Sequence, residues 1–249
     1  MSGRTEGGAK ELARSGLGLV TVMKLLAIDT AAYLCAACVF DGDAGVEMAR
    51  AVRDIGKGHA EILMDVIAEA LGTADIAFAG LGAVAVSVGP GSFTGVRVGV
   101  SVARGLALAL KIPAAGVSTL EALAFETRSL ADDKPILTVI DGGRDGIYAA
   151  IYNSFGKIVY APVVAQLDEI AELVNGVSVL AGSAARRVAA SVPSHSFRFG
   201  PELPTADIAT YARVAIANGF DGGKKPRPLY LRAPDAKPQA HLALPRRDA

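Results

Sequence analysis

Tryptophan is absent, and phenylalanine and tyrosine bring the aromatic content to only 6%. A chain so poor in rings does not have a stacking platform for single-stranded RNA as its main business. Net charge is also missing: 25 basic residues face 25 acidic ones, so no overall field draws the protein to nucleic acid or to a membrane surface. No apolar run is expected to approach the length of a membrane span. Cysteine is confined to Cys35 and Cys38. Their C-x-x-C spacing is half of a zinc motif with no second pair to complete the ligand set. The surrounding segment, Tyr33 to Phe40, reads as a strand, on which residues three apart point to opposite faces. Both thiols are therefore expected in the core, which suits a reducing compartment.

What remains is a globular composition, 51% hydrophobic and 20% charged over 249 residues, enough for one large domain or two lobes. Glycine is abundant, at 28 residues, so tight turns are many. Residues 1–22 are Gly-rich and mixed in charge, and they are read as a flexible extension, with Met23 an alternative first residue. A clean strand opens there, Met23 to Ile28.

An internal repeat organises the rest. LLAID at Leu25–Asp29 and LTVID at Leu137–Asp141 share one pattern 112 residues apart, and the offset continues through Ala37 and Ala149, Val39 and Ile151, and Phe40 and Tyr152. Each copy reads as a strand ending in Asp, a turn, two more strands, a helix, a short strand and a Gly-containing loop. Meander strands followed by alternating helices and strands imply mixed α/β sheets. The domain reading is an extension over 1–22, a first lobe over 23–133, a reduced second lobe over 134–221 and a Pro-rich basic tail over 222–249. A helix near 204–219 is expected to pack back on the first lobe. In such a duplication Asp29 and Asp141 both point into the cleft between the lobes.

The sharpest local signal is the run from Ala85 to Arg97, in which a buried strand passes through Gly89, Gly91 and Gly95 into a helix ending at Leu110. Ser92, Thr94 and the loop N–H groups present the geometry of an anion site. The glycine spacing differs from a Walker loop and no Lys-Ser/Thr pair follows. The alternative is a tight strand-to-helix turn capped by Thr94. Along the helix, Arg97, Ser101 and Arg104 form a polar stripe, while Gly99, Ala103 and Ala107 make a flat track for close helix packing. An earlier helix, His59 to Leu71, carries Glu61, Asp65 and Glu69 on one stripe and is otherwise apolar, with Leu63, Met64 and Ile67. These two helices are read as burying a second face against another subunit. A three-layer core within one chain is the other reading.

The segments Met23–Thr30, His59, Val86–Gly99, Gly116–Leu123 and Pro228–Arg232 together resemble the TsaB (YeaZ) family. The resemblance runs from Met23 to about Arg232. It implies an actin-like fold, of the type shared by sugar kinases and heat-shock chaperones, and a non-catalytic subunit in threonylcarbamoyladenosine synthesis on tRNA. It further implies a catalytic paralogue, TsaD, bound through the first-lobe helices, and an ATPase, TsaE, joining the pair. On this reading the partner face comprises His59, Leu63, Met64, Ile67, Arg97, Gly99, Ala103, Arg104 and Ala107. The isolated chain is open to homodimerisation, tRNA is contacted indirectly, and the location is cytoplasmic with no membrane. The paralogue holds a metal through a His-x-x-x-His pair, whereas here His59 is followed four residues later by Leu63, so neither a metal nor any other cofactor is expected, and a peptidase reading is lost. A residual nucleotide site would use Asp29, Thr30, Gly89, Gly91, Ser92, Thr94, Gly95 and Asp141. The alternative function is a small actin-like ATP-dependent phosphotransferase; against it stand Arg144 in the second Asp turn and an adenine side reduced to Ala181–Ser183. The tail from Gly222 carries seven basic residues, two acidic ones and five of the twelve prolines, and is read as a solvated extended arm. Lys224, Lys225, Arg227 and Arg232 are its candidates for touching tRNA phosphates.

Overall fold

The computed structural model describes residues 24–143, 146–220 and 225–231. The extension before Lys24, Arg144, Lys224 and Arg232 lie outside them. In chain order the elements are β1 (Lys24–Asp29), β2 (Leu34–Asp41), β3 (Val46–Asp54), α1 (His59–Thr73), β4 (Ala83–Ser87), α2 (Phe93–Leu110), β5 (Ala114–Val117) and α3 (Thr119–Thr127). There follow β6 (Ile136–Asp141), β7 (Ile147–Tyr152), β8 (Ile158–Ala165), α4 (Leu167–Glu172), β9 (Val179–Ala181), α5 (Ala185–Ser191), β10 (Arg198–Phe199) and α6 (Ile208–Asn218).

Two five-stranded sheets have the same plan, β3-β2-β1-β4-β5 and β8-β7-β6-β9-β10. In each an antiparallel meander is extended by two parallel strands. This is a duplicated actin-like α/β fold. The central strands are apolar runs buried on both faces, as strands covered by helices on each side must be.

Three core layers result. One lies between the first sheet and α1 and α2, and one between the second sheet and α4 and α5. The third joins both sheets. Here the helices are exchanged: α6, late in the chain, packs on β1, β2, β4 and β5, while α3 packs on β6, β7 and β9. Glu126 of α3 ties the two together, accepting the Asp207 N–H at 2.7 Å and the Thr210 hydroxyl at 2.5 Å at the start of α6.

The 112-residue offset holds in one strand pair and slips in the other. Cys38 and Phe40 face the central layer, as do Ala150 and Tyr152 at that offset. In the preceding strand, however, Leu25 and Ala27 face the central layer and their counterparts there are Ile136 and Thr138, 111 residues on. The second hairpin turn is one residue shorter, since Asp29 pairs with Ala36 whereas Asp141 pairs with Ile147. A slip of one residue moves a side chain to the other face. Asp29 therefore lies beside Ala36 on the central face, and Asp141 lies beside Ile147 on the opposite face and is exposed. The expected convergence of both aspartates on one cleft does not occur.

Cys35 and Cys38 are free and buried, in different core layers. Burial pushes the Cys35 thiol up to about 11 and the Cys38 thiol to about 12, so neither supplies thiolate near neutral pH. Iodoacetamide labelling followed by mass spectrometry is expected to leave both unmodified in the native protein and to modify both in urea.

Candidate functional site

The glycine loop is shaped by the turn that it embraces. A Cβ on Gly91 would lie 2.1 Å from the Ala31 carbonyl oxygen, one on Gly95 would lie 2.0 Å from that of Thr30, and one on Gly99 would lie 2.4 Å from the Thr30 hydroxyl. The Thr30 hydroxyl donates to the Gly95 carbonyl at 2.8 Å, and the Ser92 N–H donates to Ala31 O at 2.6 Å. The glycines thus admit the β1–β2 turn, and on that side Thr30 and Ala31 fill the space a phosphate would need. Ser92 caps α2 by accepting the Gly95 N–H at 3.2 Å; Thr94, the expected cap, is exposed. Gly89 takes a positive φ of 89° before Pro90, and its carbonyl accepts the Thr119 N–H.

Asp29 stands beneath this loop and is only 2% exposed. Its carboxylate accepts the Ala31 N–H at 2.9 Å, with the Ser87 and Thr205 hydroxyls also turned on it. Burial raises its pKa, partly offset by these hydrogen bonds. It binds the chain to itself. The second lobe repeats the theme, because a Cβ on Gly182 would lie 2.1 Å from the Val139 carbonyl oxygen, and Ser183 accepts the Asp141 N–H. Asp141 turns its carboxylate onto the Gly143 N–H at 2.9 Å. In both lobes a glycine admits neighbouring backbone, Gly91 and Gly95 the Ala31 and Thr30 carbonyls and Gly182 that of Val139.

The α1–α2 pair divides the expected partner face. His59, Leu63, Ile67, Gly99 and Ala103 are buried within the subunit, with the His59 Nε2 3.1 Å from the Leu34 carbonyl. A wholly covered side chain offers no surface to another chain. The small-residue track lets α2 lie close against its own sheet and the Thr30 turn. What reaches the surface is Met64, 46% exposed, between Ala60 and Ala68 on α1, with Glu61, Asp65 and Glu69 of the same helix, and on α2 Arg97, Ser101, Arg104, Gly105 and Leu108. Leu108 is 79% exposed, and Ala107 is half-buried. At 18 residues and a mean hydropathy of 1.4, α2 does reach the length and apolar content of a membrane span, contrary to the sequence expectation. It also carries two arginines and packs on β4.

The described part of the tail is docked on the first lobe. Leu229 donates its N–H to Val88 O at 2.8 Å, and Pro226 is buried against Gly116. The Tyr230 hydroxyl accepts from Arg97 Nε at 2.7 Å, and the Arg97 guanidinium lies 3.5 Å over the Phe93 ring. Proline content signalled extended backbone here, but no local pattern marked the docking partners.

The family model of TsaD, tRNA N6-adenosine threonylcarbamoyltransferase, matches residues 53–212, more than half of the chain. An uncharacterised protein of Mycobacterium leprae is 35% identical over 219 residues, 86% of this chain and 56% of that one. The tRNA threonylcarbamoyladenosine biosynthesis protein TsaB of Escherichia coli is 34% identical over 132 residues, 53% of this chain and 55% of that one. The chain thus spans about half the length of these curated relatives. Among solved structures, YeaZ from Pseudomonas aeruginosa superposes with a TM-score of 0.66 at 26% identity, covering 84% of this chain and 99% of that one.

Proposed function

The chain belongs to the TsaB (YeaZ) family, and from that premise we propose that it is the supporting subunit of a tRNA threonylcarbamoyladenosine-forming complex, without an active site of its own. It serves in the biosynthesis of threonylcarbamoyladenosine in tRNA. Its task is to seat a TsaD-type catalytic paralogue on the outer face of α1 and α2 and hold it in a competent shape, with the ATPase TsaE joining the pair. The reading places the protein in the cytoplasm, where tRNA is modified, and tRNA reaches it through the complex.

The carrying observation is the exposed face formed by Ala60, Met64 and Ala68 on α1 and Ser101, Gly105 and Leu108 on α2. Small residues around two large apolar side chains let a second pair of helices approach closely. Exposed apolar surface of this kind marks an interaction site. The same face permits self-association when the chain is alone. The phosphotransferase alternative draws little support, since the first glycine loop is packed at Gly91 and Gly95 by the Thr30–Ala31 turn.

Light-scattering chromatography of the chain mixed with the TsaD homologue of its own organism tests the assignment. The wild-type chain is expected to elute as a heterodimer. Met64→Arg places a charge at the centre of the face and should weaken association by about 2 kcal/mol or more, or about 30-fold. A wild-type chain that stays apart from the homologue, or a Met64→Arg chain that pairs undiminished, would overturn the reading.

A further inference from the structure

A cavity of about 480 Å³ lies at the C-terminal end of α2, where Arg104 and Lys111 meet Lys225 of the docked tail over a floor of Ile112, Pro113 and Pro226. Its size is in the range of ligand-binding pockets. Three cations and no carboxylate line it. Some surface cations elsewhere are matched: Lys24 with Asp41, Arg50 with Glu47 and Asp207, Arg53 with Glu69, Arg186 with Glu202, and Arg198 with Asp132. Among the described residues Arg104, Lys111 and Lys225 make no ion pair, nor do Lys57, Lys134, Lys157, Arg187 and Arg227; what sets the three apart is that they line one concavity. In a chain of zero net charge, this is a local positive excess held in a concave surface.

We propose that this cavity receives the phosphate backbone of an RNA strand. No aromatic ring lines it to stack a base, and no amide or carboxylate side chain lines it to read a base edge, so its three cations address phosphate rather than bases, above a lining that is otherwise apolar, with Leu108, Ile112, Pro113 and Pro226. Lys225 is not a loose charge, because the Leu229 N–H to Val88 O bond and the packing of Pro226 against Gly116 fix the segment that carries it. Exposed Arg227 continues the positive track along the same segment. The proposal rests on the reading of the chain as a tRNA-modification subunit and adds a direct contact to it.

The test is fluorescence anisotropy of a labelled RNA stem-loop titrated with the full chain, from about 20 to about 200 mM salt. Three neutralised phosphates predict a log–log salt slope of about −2 to −3. In Lys111→Gln/Lys225→Gln the slope should flatten by roughly 1.5 and low-salt affinity should fall about tenfold or more. Arg53→Gln, which removes a cation already paired with Glu69, should leave both unchanged. Circular dichroism melting confirms that the variants are folded. An absence of RNA binding at low salt, or an unaltered slope in the double variant, overturns the proposal. So does displacement of the RNA by equimolar ATP or ADP, which would mark a free-nucleotide pocket. Gly105 and Leu108 border both the cavity and the Met64 face, but neither lysine is among the residues of that face, so the double variant should still pair with the TsaD homologue. Loss of pairing in Met64→Arg and loss of RNA in the lysine variant therefore report on separate claims.

Discussion

Gly95→Ala and Gly91→Ala should each destabilise the protein by about 3 kcal/mol or more, read as a shifted midpoint in urea unfolding. Each new methyl would stand near 2 Å from a carbonyl oxygen of Thr30 or Ala31, and backbone atoms at the end of a central strand have nowhere to retreat. The result would be a shifted α2 or a broken Thr30–Gly95 bond. Gly105→Ala on the same helix is the internal comparison: nothing lies within 4 Å of its added Cβ. Relief of glycine's conformational freedom should raise stability there by about 0.5–1 kcal/mol. Opposite signs from one substitution type on one helix separate a packing role from a propensity effect. If Gly95→Ala cost less than about 1 kcal/mol, the turn would not be seated as described, and the loop would have room for an anion after all.

Asp29→Asn is expected to change how stability depends on pH. Burial holds the Asp29 pKa above its ordinary value, so the folded chain keeps this proton where the unfolded chain has released it. Such a group contributes its full stability below the unfolded carboxylate range and loses it as pH rises through the folded value. Asparagine cannot titrate, yet it retains an oxygen for the Ala31 N–H. The variant should therefore gain relative to wild type as pH climbs from about 4 toward neutrality. Asp29→Ala, which strands that N–H and the hydroxyls of Ser87 and Thr205, should be destabilised throughout by about 2–4 kcal/mol. Urea midpoints measured across the pH range decide it. A constant difference between wild type and Asp29→Asn would show that Asp29 titrates as an ordinary exposed carboxylate.

Much of the architecture was legible because strand periodicity is a local property. The two Asp-ended strands, the meanders and the exchange of strand for helix after each could be read from apolar spacing alone. The register could not: a hairpin turn shorter by one residue shifts Leu137 to the face opposite Leu25, although the two motifs align in sequence. The small-residue track on α2 was visible, but its partner was not. Gly99 and Ala103 have the same spacing whether they admit a neighbouring subunit or the chain's own Thr30 turn. Met64 with Ala60 and Ala68 was the better signal for an open face, since an i, i+4 row of one large and two small residues leaves the polar stripe uninterrupted beside it. The docking of Tyr230 on Arg97 joins residues 133 apart, a distance at which no periodicity speaks.

The exchange of α3 and α6 between sheets also sets an order for synthesis. All five strands of the first sheet are made by Val117, yet the helix that covers their inner face begins only at Ile208. While the intervening residues leave the ribosome, Leu25, Ala27, Ala83 and Ala85 have no cover on that side from the helix that finally seals them. Exposed apolar strand surface in a nascent chain is a route to misassembly. The earliest lobe to be made is thus among the last to close, and the closing segment, α6, stands a few residues before the docked tail.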